Sequence, residues 1–314
     1  MKYEMFDAKK IIGEVTLQEA DANPNIVVVS TDSAPRTGMA GFIAKYPDRY
    51  YELGIMEQSA IGVSSGFATA GKVPVFCAPA PFVTARPFEM FKIDIGYMQQ
   101  NVKAIGRNCG FNYSDLGPTH YGLEDIALVR LIPGVTVLAP IDASQLRGAM
   151  RTMLRHGGPV YLRIGTAPIH KIFDEEAFVI GEGKVVREGK DVAIVTTGEI
   201  AVNVFEAAET LAAQGINAMV VTMPTISPLD EAIIRKAAEA TGRIVVVEEH
   251  YEVGGLGTAV CETCAKIAPV PVKRLGVPHV YLSAGPYDDL VKYCKLDSAG
   301  IVETVKAFIA QENS

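Results

Sequence analysis

Residues 191–221, DVAIVTTGEIAVNVFEAAETLAAQGINAMVV, decide the fold class. Asp191 to Val195 and Ala218 to Val221 are short runs without polar alternation, as expected of strands buried on both faces. Between them, Ala201 to Ala213 repeats apolar residues at three- and four-residue spacing, the stripe of a helix that lays one side on a sheet. Strand, helix and strand in this order build a parallel sheet covered by helices. Farther out, Ile26 to Val29 (IVVV), Val135 to Ala139 (VTVLA) and Arg243 to Val247 (RIVVV) repeat the strand pattern, and Ala8 to Ala22 reads as a further helix. The expected class is α/β, with two domains, each a mostly parallel sheet covered by helices.

The boundary falls in Thr166 to Lys190, where Pro168, Gly181, Gly183 and Gly189 stand among charges and two short apolar runs. This gives one domain at residues 1–170, a linker at 171–188 and a second domain at 189–314. A chain of 314 residues is long for a single domain, which agrees. Lys and Arg total 29 against 36 Asp and Glu, a net charge of -7, so no broad cationic field draws in nucleic acid or an anionic membrane. No apolar run approaches the ~20 residues that span a bilayer, and the start, MKYEMFDAKKIIGEV, lacks the basic flank and apolar block of a leader. Five cysteines at irregular spacing make no disulfide framework. The expected location is the cytoplasm.

Tyr50 to Gly71, YYELGIMEQSAIGVSSGFATAG, carries the first candidate chemistry. Glu57 stands where a short apolar strand end turns into a helix rich in Ala, Gly and Ser. A glutamate there can simply be a solvated residue favoured by the helix dipole. Its neighbours Gly54, Ile55, Met56, Ala60, Ile61, Gly62 and Val63 instead predict a buried carboxyl able to hold or share a proton near neutrality. The small residues along this helix also suit a subunit interface. His120 lies in Leu116-Gly117-Pro118-Thr119-His120-Tyr121-Gly122, a loop stiffened by proline, which suits a histidine held against a substrate as well as one merely exposed.

Other motifs read as structural. Gly62-Val63-Ser64-Ser65-Gly66 matches the nucleophile-elbow pattern but lies inside a helix, whereas that motif needs a sharp strand-to-helix turn. Gly254-Gly255-Leu256-Gly257 opens a helix, but two acidic residues precede it and the full dinucleotide fingerprint is absent. Cys261 and Cys264 sit one turn inside that helix with no second ligand pair, so they read as core cysteines. Arg36, His156, His170 and His279 have no comparable setting.

Taken together, residues 53–76 (LGIMEQSAIGVSSGFATAGKVPVF), 118–145 (PTHYGLEDIALVRLIPGVTVLAPIDASQ) and 158–165 (GPVYLRIG) resemble the pyrimidine-binding domain of transketolase and its thiamine diphosphate-dependent relatives. Residues 191–215 and 245–260 resemble the C-terminal domain of the same family. The resemblance covers nearly the whole chain. It implies a Glu at position 57 that bonds the aminopyrimidine N1′, an aromatic at Phe82 that stacks on that ring, and a His at 120 facing substrate. It further places Asp32 and Ile55 by the cofactor. Family enzymes hold the diphosphate and Mg²⁺ through a G-D-G motif, which is nowhere in this chain. The resemblance therefore implies the C-terminal subunit of a split transketolase. Its partner is an N-terminal subunit carrying G-D-G and Mg²⁺, in a heterotetramer of two plus two.

Departures from the family pattern bear on substrate. Asn108 replaces a substrate-binding His, Leu116 replaces the Asp before G-P-T-H, and Thr166 stands where a phosphate-binding Arg is usual, with Arg163 three residues earlier. Losing a bidentate anion partner removes a contact worth roughly 1.5 to 3 kcal/mol. The expected substrate is an atypical sugar, phosphorylated or not, with Asn108 and Arg163 as candidate contacts. Two alternatives share the domains: the beta subunit of the decarboxylating component of a 2-oxo-acid dehydrogenase, and a scaffold subunit without activity. Keeping Glu57, Phe82 and His120 together speaks against the scaffold.

Overall fold

The computed structural model describes residues 3–33, 37–165 and 168–312, so Arg36 and Thr166 lie outside the described residues. A short strand, β1 (Glu4–Asp7), leads into helix Ala8–Ala22, whose first turn is capped by the Asp7 carboxylate accepting from Lys9 N–H. Strands β2 (Ile26–Ser30), β3 (Tyr50–Glu52), β4 (Val73–Pro79), β5 (Lys103–Arg107), β6 (Thr136–Leu138) and β7 (Val160–Ile164) then form a parallel sheet in the order β6-β7-β5-β4-β2-β3. The chain returns as β8 (Pro168–Lys171), antiparallel to β1.

The second sheet takes β9 (Lys184–Arg187), β10 (Val192–Thr196), β11 (Ala218–Thr222), β13 (Ile244–Tyr251) and β14 (Val272–Val277), in the order β14-β13-β10-β11-β9. Only β9, on the edge, is antiparallel. Between β11 and β13, β12 (Thr225–Ser227) leaves this domain and pairs antiparallel with β6, so a segment of the second half edges the sheet of the first. Each all-buried run read from the sequence is a central strand: β2 and β10 are buried along their whole length.

Residues 171–188, expected as a linker, hold β9 and are tied down. Asp142 caps helix Ala143–Arg155 with one carboxylate oxygen, on Gln145 N–H, and with the other accepts from Ile172 and Phe173 N–H. One apolar cluster runs unbroken between the sheets, from Phe76, Phe91 and Tyr161 to Met223, Val246 and Leu256. The two domains thus share a core and hold one orientation. No helix among the described residues is long and apolar enough to cross a membrane.

Candidate active site

The carboxyl ends of β2, β4 and β5, three neighbours in the sheet, open into a cleft of about 680 Å³. Ligands of open parallel sheets bind at such ends. β2 runs into Thr31 and Asp32, β4 into the short helix Ala80–Val83 that bears Phe82, and β5 ends at Arg107 before Asn108; all five line the cleft. Asp32 and Asn108 hold left-handed backbone, φ 54 and 53, which Asp and Asn tolerate better than other side chains. They are two of the four described non-glycine residues with positive φ.

Glu57 is the first residue of helix Glu57–Thr69 and is 3% exposed. Its surroundings differ from the apolar set expected. Arg86 Nη1 lies 2.8 Å from Oε2, while Ile55 and Met56 are 71% and 54% exposed. The cause is the backbone: Gly54 turns with φ 69 and the helix begins only at Glu57, so residues 55 and 56 form its approach rather than its packed face. The Arg86 guanidinium also lies 3.9 Å over the Phe82 ring, so one cation fixes both the carboxylate and the aromatic.

Glu52 joins two walls of the cleft. It accepts from Asp32 N–H at 2.7 Å, Gly54 N–H at 2.9 Å and the Tyr50 hydroxyl at 2.6 Å. Burial pushes its carboxyl pKa up, but these bonds outweigh that and hold it below the usual range.

His120 is delivered by a loop clamped at its neck. Gly110 and Gly122 exchange backbone hydrogen bonds of 2.8 and 3.0 Å, and a Cβ on Gly122 would meet Ala80 and the Cys109 backbone. The second domain braces this loop. Glu249 accepts from Phe111 N–H, the Tyr121 hydroxyl donates to Ser283 O, and Gly285 N–H donates to Ser114 O. His120 meets the rings of Phe82 and Tyr113 edge-on, at 5.2 and 5.9 Å, and its Nδ1 lies 2.9 Å from Thr119 Oγ1.

Glu57, Phe82, His120, Asp32, Ile55 and Asn108 therefore come together in one cleft. Arg163 does not. It is 3% exposed, paired at 2.9 Å with Asp125, and donates to Gly122 O and Glu249 O. Its place in β7 turns it toward the second domain, where it ties β7, the loop neck and β13 together. Sequence reasoning missed Arg86, Arg107 and Tyr113. Arg86 could have been found four residues after Phe82, and Arg107 as the last residue of an apolar run that ends a parallel strand. Glu248, one of the two acidic residues that precede Gly254-Gly255-Leu256-Gly257, itself occupies that helix start, accepting from Leu256 and Gly257 N–H.

The cleft offers a buried carboxylate, an aromatic ring and, at Thr31 Oγ1, a buried hydroxyl without a partner. This set fits a flat heterocycle bearing ring nitrogens and an amine, such as the aminopyrimidine of thiamine. Fold and cleft together define half of a thiamine diphosphate-dependent transferase. Residues 4–167 match the transketolase pyrimidine-binding domain and residues 181–301 the transketolase C-terminal domain. The chain belongs to the transketolase family, as the subunit of a split transketolase that carries these two domains and works with a complementary subunit. It is 37% identical over 311 residues to an apulose-4-phosphate transketolase subunit of Phocaeicola vulgatus, covering 98% of this chain and 99% of that one. It is 34% identical over 301 residues to a 6-deoxy-6-sulfo-D-fructose transketolase subunit of a Clostridium species, covering 96% and 94%. A solved split-gene transketolase, an inactive beta4 tetramer, superposes with a TM-score of 0.89 at 33% identity over 98% of this chain and 99% of that one.

Proposed function

We propose that this subunit, joined to an N-terminal subunit whose G-D-G motif holds Mg²⁺ and the diphosphate, transfers a two-carbon ketol unit from a ketose to an aldose. The assembly is two plus two, in the cytoplasm, where the five free cysteines stay reduced. The sugars are atypical: Asn108 and Leu116 depart from the family pattern, and two similar subunits are named for a branched-sugar phosphate and a sulfo-sugar. The observation that carries the reading is the convergence of buried Glu57 with Phe82 and His120 on one cleft.

Thiamine diphosphate, when bound, supplies the carbon nucleophile and the electron sink for the transferred fragment. The residues of this chain do the rest. Glu57 presents Oε1, the carboxylate oxygen that Arg86 leaves open, to the pyrimidine nitrogen, in a position where water competes little. Arg86 keeps Glu57 and Phe82 in register, so the ring stacked on Phe82 meets the carboxylate in one pose. Asp32 and Ile55 flank that ring. His120, its Nδ1 engaged by Thr119, keeps Nε2 for a substrate oxygen. Asn108 meets the sugar from the end of β5.

The test uses the reconstituted complex. Glu57→Ala leaves assembly and cofactor affinity within a few-fold and lowers ketol transfer roughly 10²- to 10⁴-fold; near-normal turnover sinks the role. The solved split-gene transketolase is inactive as a beta4 tetramer, which supports a second expectation. The isolated chain binds thiamine diphosphate poorly and gains affinity with its partner. Tight Mg²⁺-dependent binding by the chain alone would count against the division of labour.

A further inference from the structure

Arg107 is 3% exposed, as buried as the apolar residues around it, yet no carboxylate among the described residues lies within ion-pair distance of it. Its Nη1 donates to the Tyr113 hydroxyl at 2.9 Å and to Asn108 Oδ1, both neutral groups. Its Nε is buried and has no partner. A guanidinium is never deprotonated in proteins, and burying one without an anion is among the costlier things a fold can do. Here the unsatisfied charge lines the cleft that holds Glu57, Phe82 and His120.

The other charged residues lining that cleft are Glu57, Arg86, Asp32 and Lys9, the last on a flexible stem from the first turn of helix Ala8–Ala22. Glu57 is taken by Arg86. Asp32 is turned by its left-handed backbone, with its N–H on Glu52. Of these cations only Arg107 is a buried fork without a carboxylate, its Nη1 held by Tyr113, from the loop that also presents His120, and by Asn108. A planar fork of this kind matches a tetrahedral oxyanion.

We propose that Arg107 is the specificity-determining residue for the anionic terminus of the sugar, a phosphate or a sulfonate, with Tyr113 and Asn108 setting its orientation. The inference rests on the ketol-transfer reading. It assigns to Arg107 the anion contact that Arg163, locked against Asp125, cannot make. Tyr113, which holds Arg107, meets His120 edge-on within one loop, so the anion anchor at the end of β5 and the substrate-facing histidine are tied together. The distance between them is then fixed, and sugar length is read along with charge.

The test compares paired substrates on the reconstituted two-subunit enzyme: apulose 4-phosphate against apulose, and 6-deoxy-6-sulfo-D-fructose against D-fructose. Arg107→Met raises KM for whichever anionic sugar the wild type prefers by roughly 10- to 100-fold and leaves that for its neutral counterpart within two-fold. Arg107→Lys, which keeps the charge but loses the fork, falls between and shows that a loss in the Met variant is not a folding failure. Thiamine diphosphate affinity, measured by fluorescence titration, stays unchanged in both variants. The proposal is overturned if anionic and neutral sugars lose equally, if the wild type prefers the neutral sugar, if cofactor affinity falls instead, which would make the diphosphate the partner, or if only subunit assembly is lost, which would make it a carboxylate of the other subunit. A wild-type complex with no ketol transfer on any of these sugars would instead defeat the functional reading itself.

Discussion

Two arginines sit side by side in the first sheet and have opposite fates. Arg107 ends β5 and Arg163 lies in β7, the neighbouring strand; Gly106 pairs with Arg163 in the register, so the two arginines are one position out of step. The pleat sends residues one position apart to opposite faces. Each is 3% exposed. Arg163 faces the second domain and meets Asp125 through Nε, while its Nη2 donates to two carbonyls. Arg107 faces the cleft, has only neutral partners and keeps a free Nε. Burial alone therefore says nothing about function. A buried charge that meets a counter-ion belongs to the scaffold, whereas one that faces a cleft with neutral partners alone is placed to take its counter-ion from a ligand.

The comparison breaks most visibly at the seam. Arg163→Met leaves Asp125, fully buried, with only the Tyr161 hydroxyl to offset its charge. Removing one partner of such a pair costs about 3–5 kcal/mol, a fall in melting temperature on the order of 10 °C. Converting Asp125 to Leu in the same chain recovers most of the loss, because no charge is then stranded. Calorimetry on the single and double variants checks this, with a double variant no better than the single one counting against the pair. Arg107→Met, by contrast, relieves an unpaired charge, so its melting temperature holds or rises while substrate discrimination falls. If both variants lose stability alike, the division between scaffold and site collapses.

Much of this was legible in the sequence, for a physical reason. Glu57, Phe82 and His120 each stand in a contiguous segment that resembles the family, and the structure brings all three to one cleft; the long apolar runs could only be central strands. What stayed hidden depended on distant partners. Arg163 read as a substrate contact because Asp125, 38 positions away, decides otherwise. Arg107 looked like an ordinary strand end until the absence of a counter-ion could be seen. β9 and β12 were missed because edge strands of three or four residues are too short to leave a periodic pattern.

The smallest expected effect lies at the seam's outer end, where scaffold and cavity meet. Glu199 accepts from Gly165 N–H at 2.8 Å, joining the end of β7 to the second domain, and faces a cavity shared with His170, Asp288, Lys292 and Asp297. Burial of the carboxyl, with Glu249 adding repulsion, pushes its pKa up to about 7 from an ordinary 4.5; Arg163 and the Gly165 bond oppose the shift without cancelling it. The folded state therefore binds this proton more tightly than the unfolded state does. Its contribution to stability is complete below about pH 4.5 and is lost as the pH rises through about 7. Glu199→Gln keeps an acceptor for Gly165 and cannot ionise. Measured against wild type, its melting temperature should gain steadily between pH 4.5 and 7 and hold a constant lead above pH 8. A lead that does not change with pH would mean that Glu199 is already ionised in the fold, and the seam would then contain an unpaired charge of its own, as the cleft does.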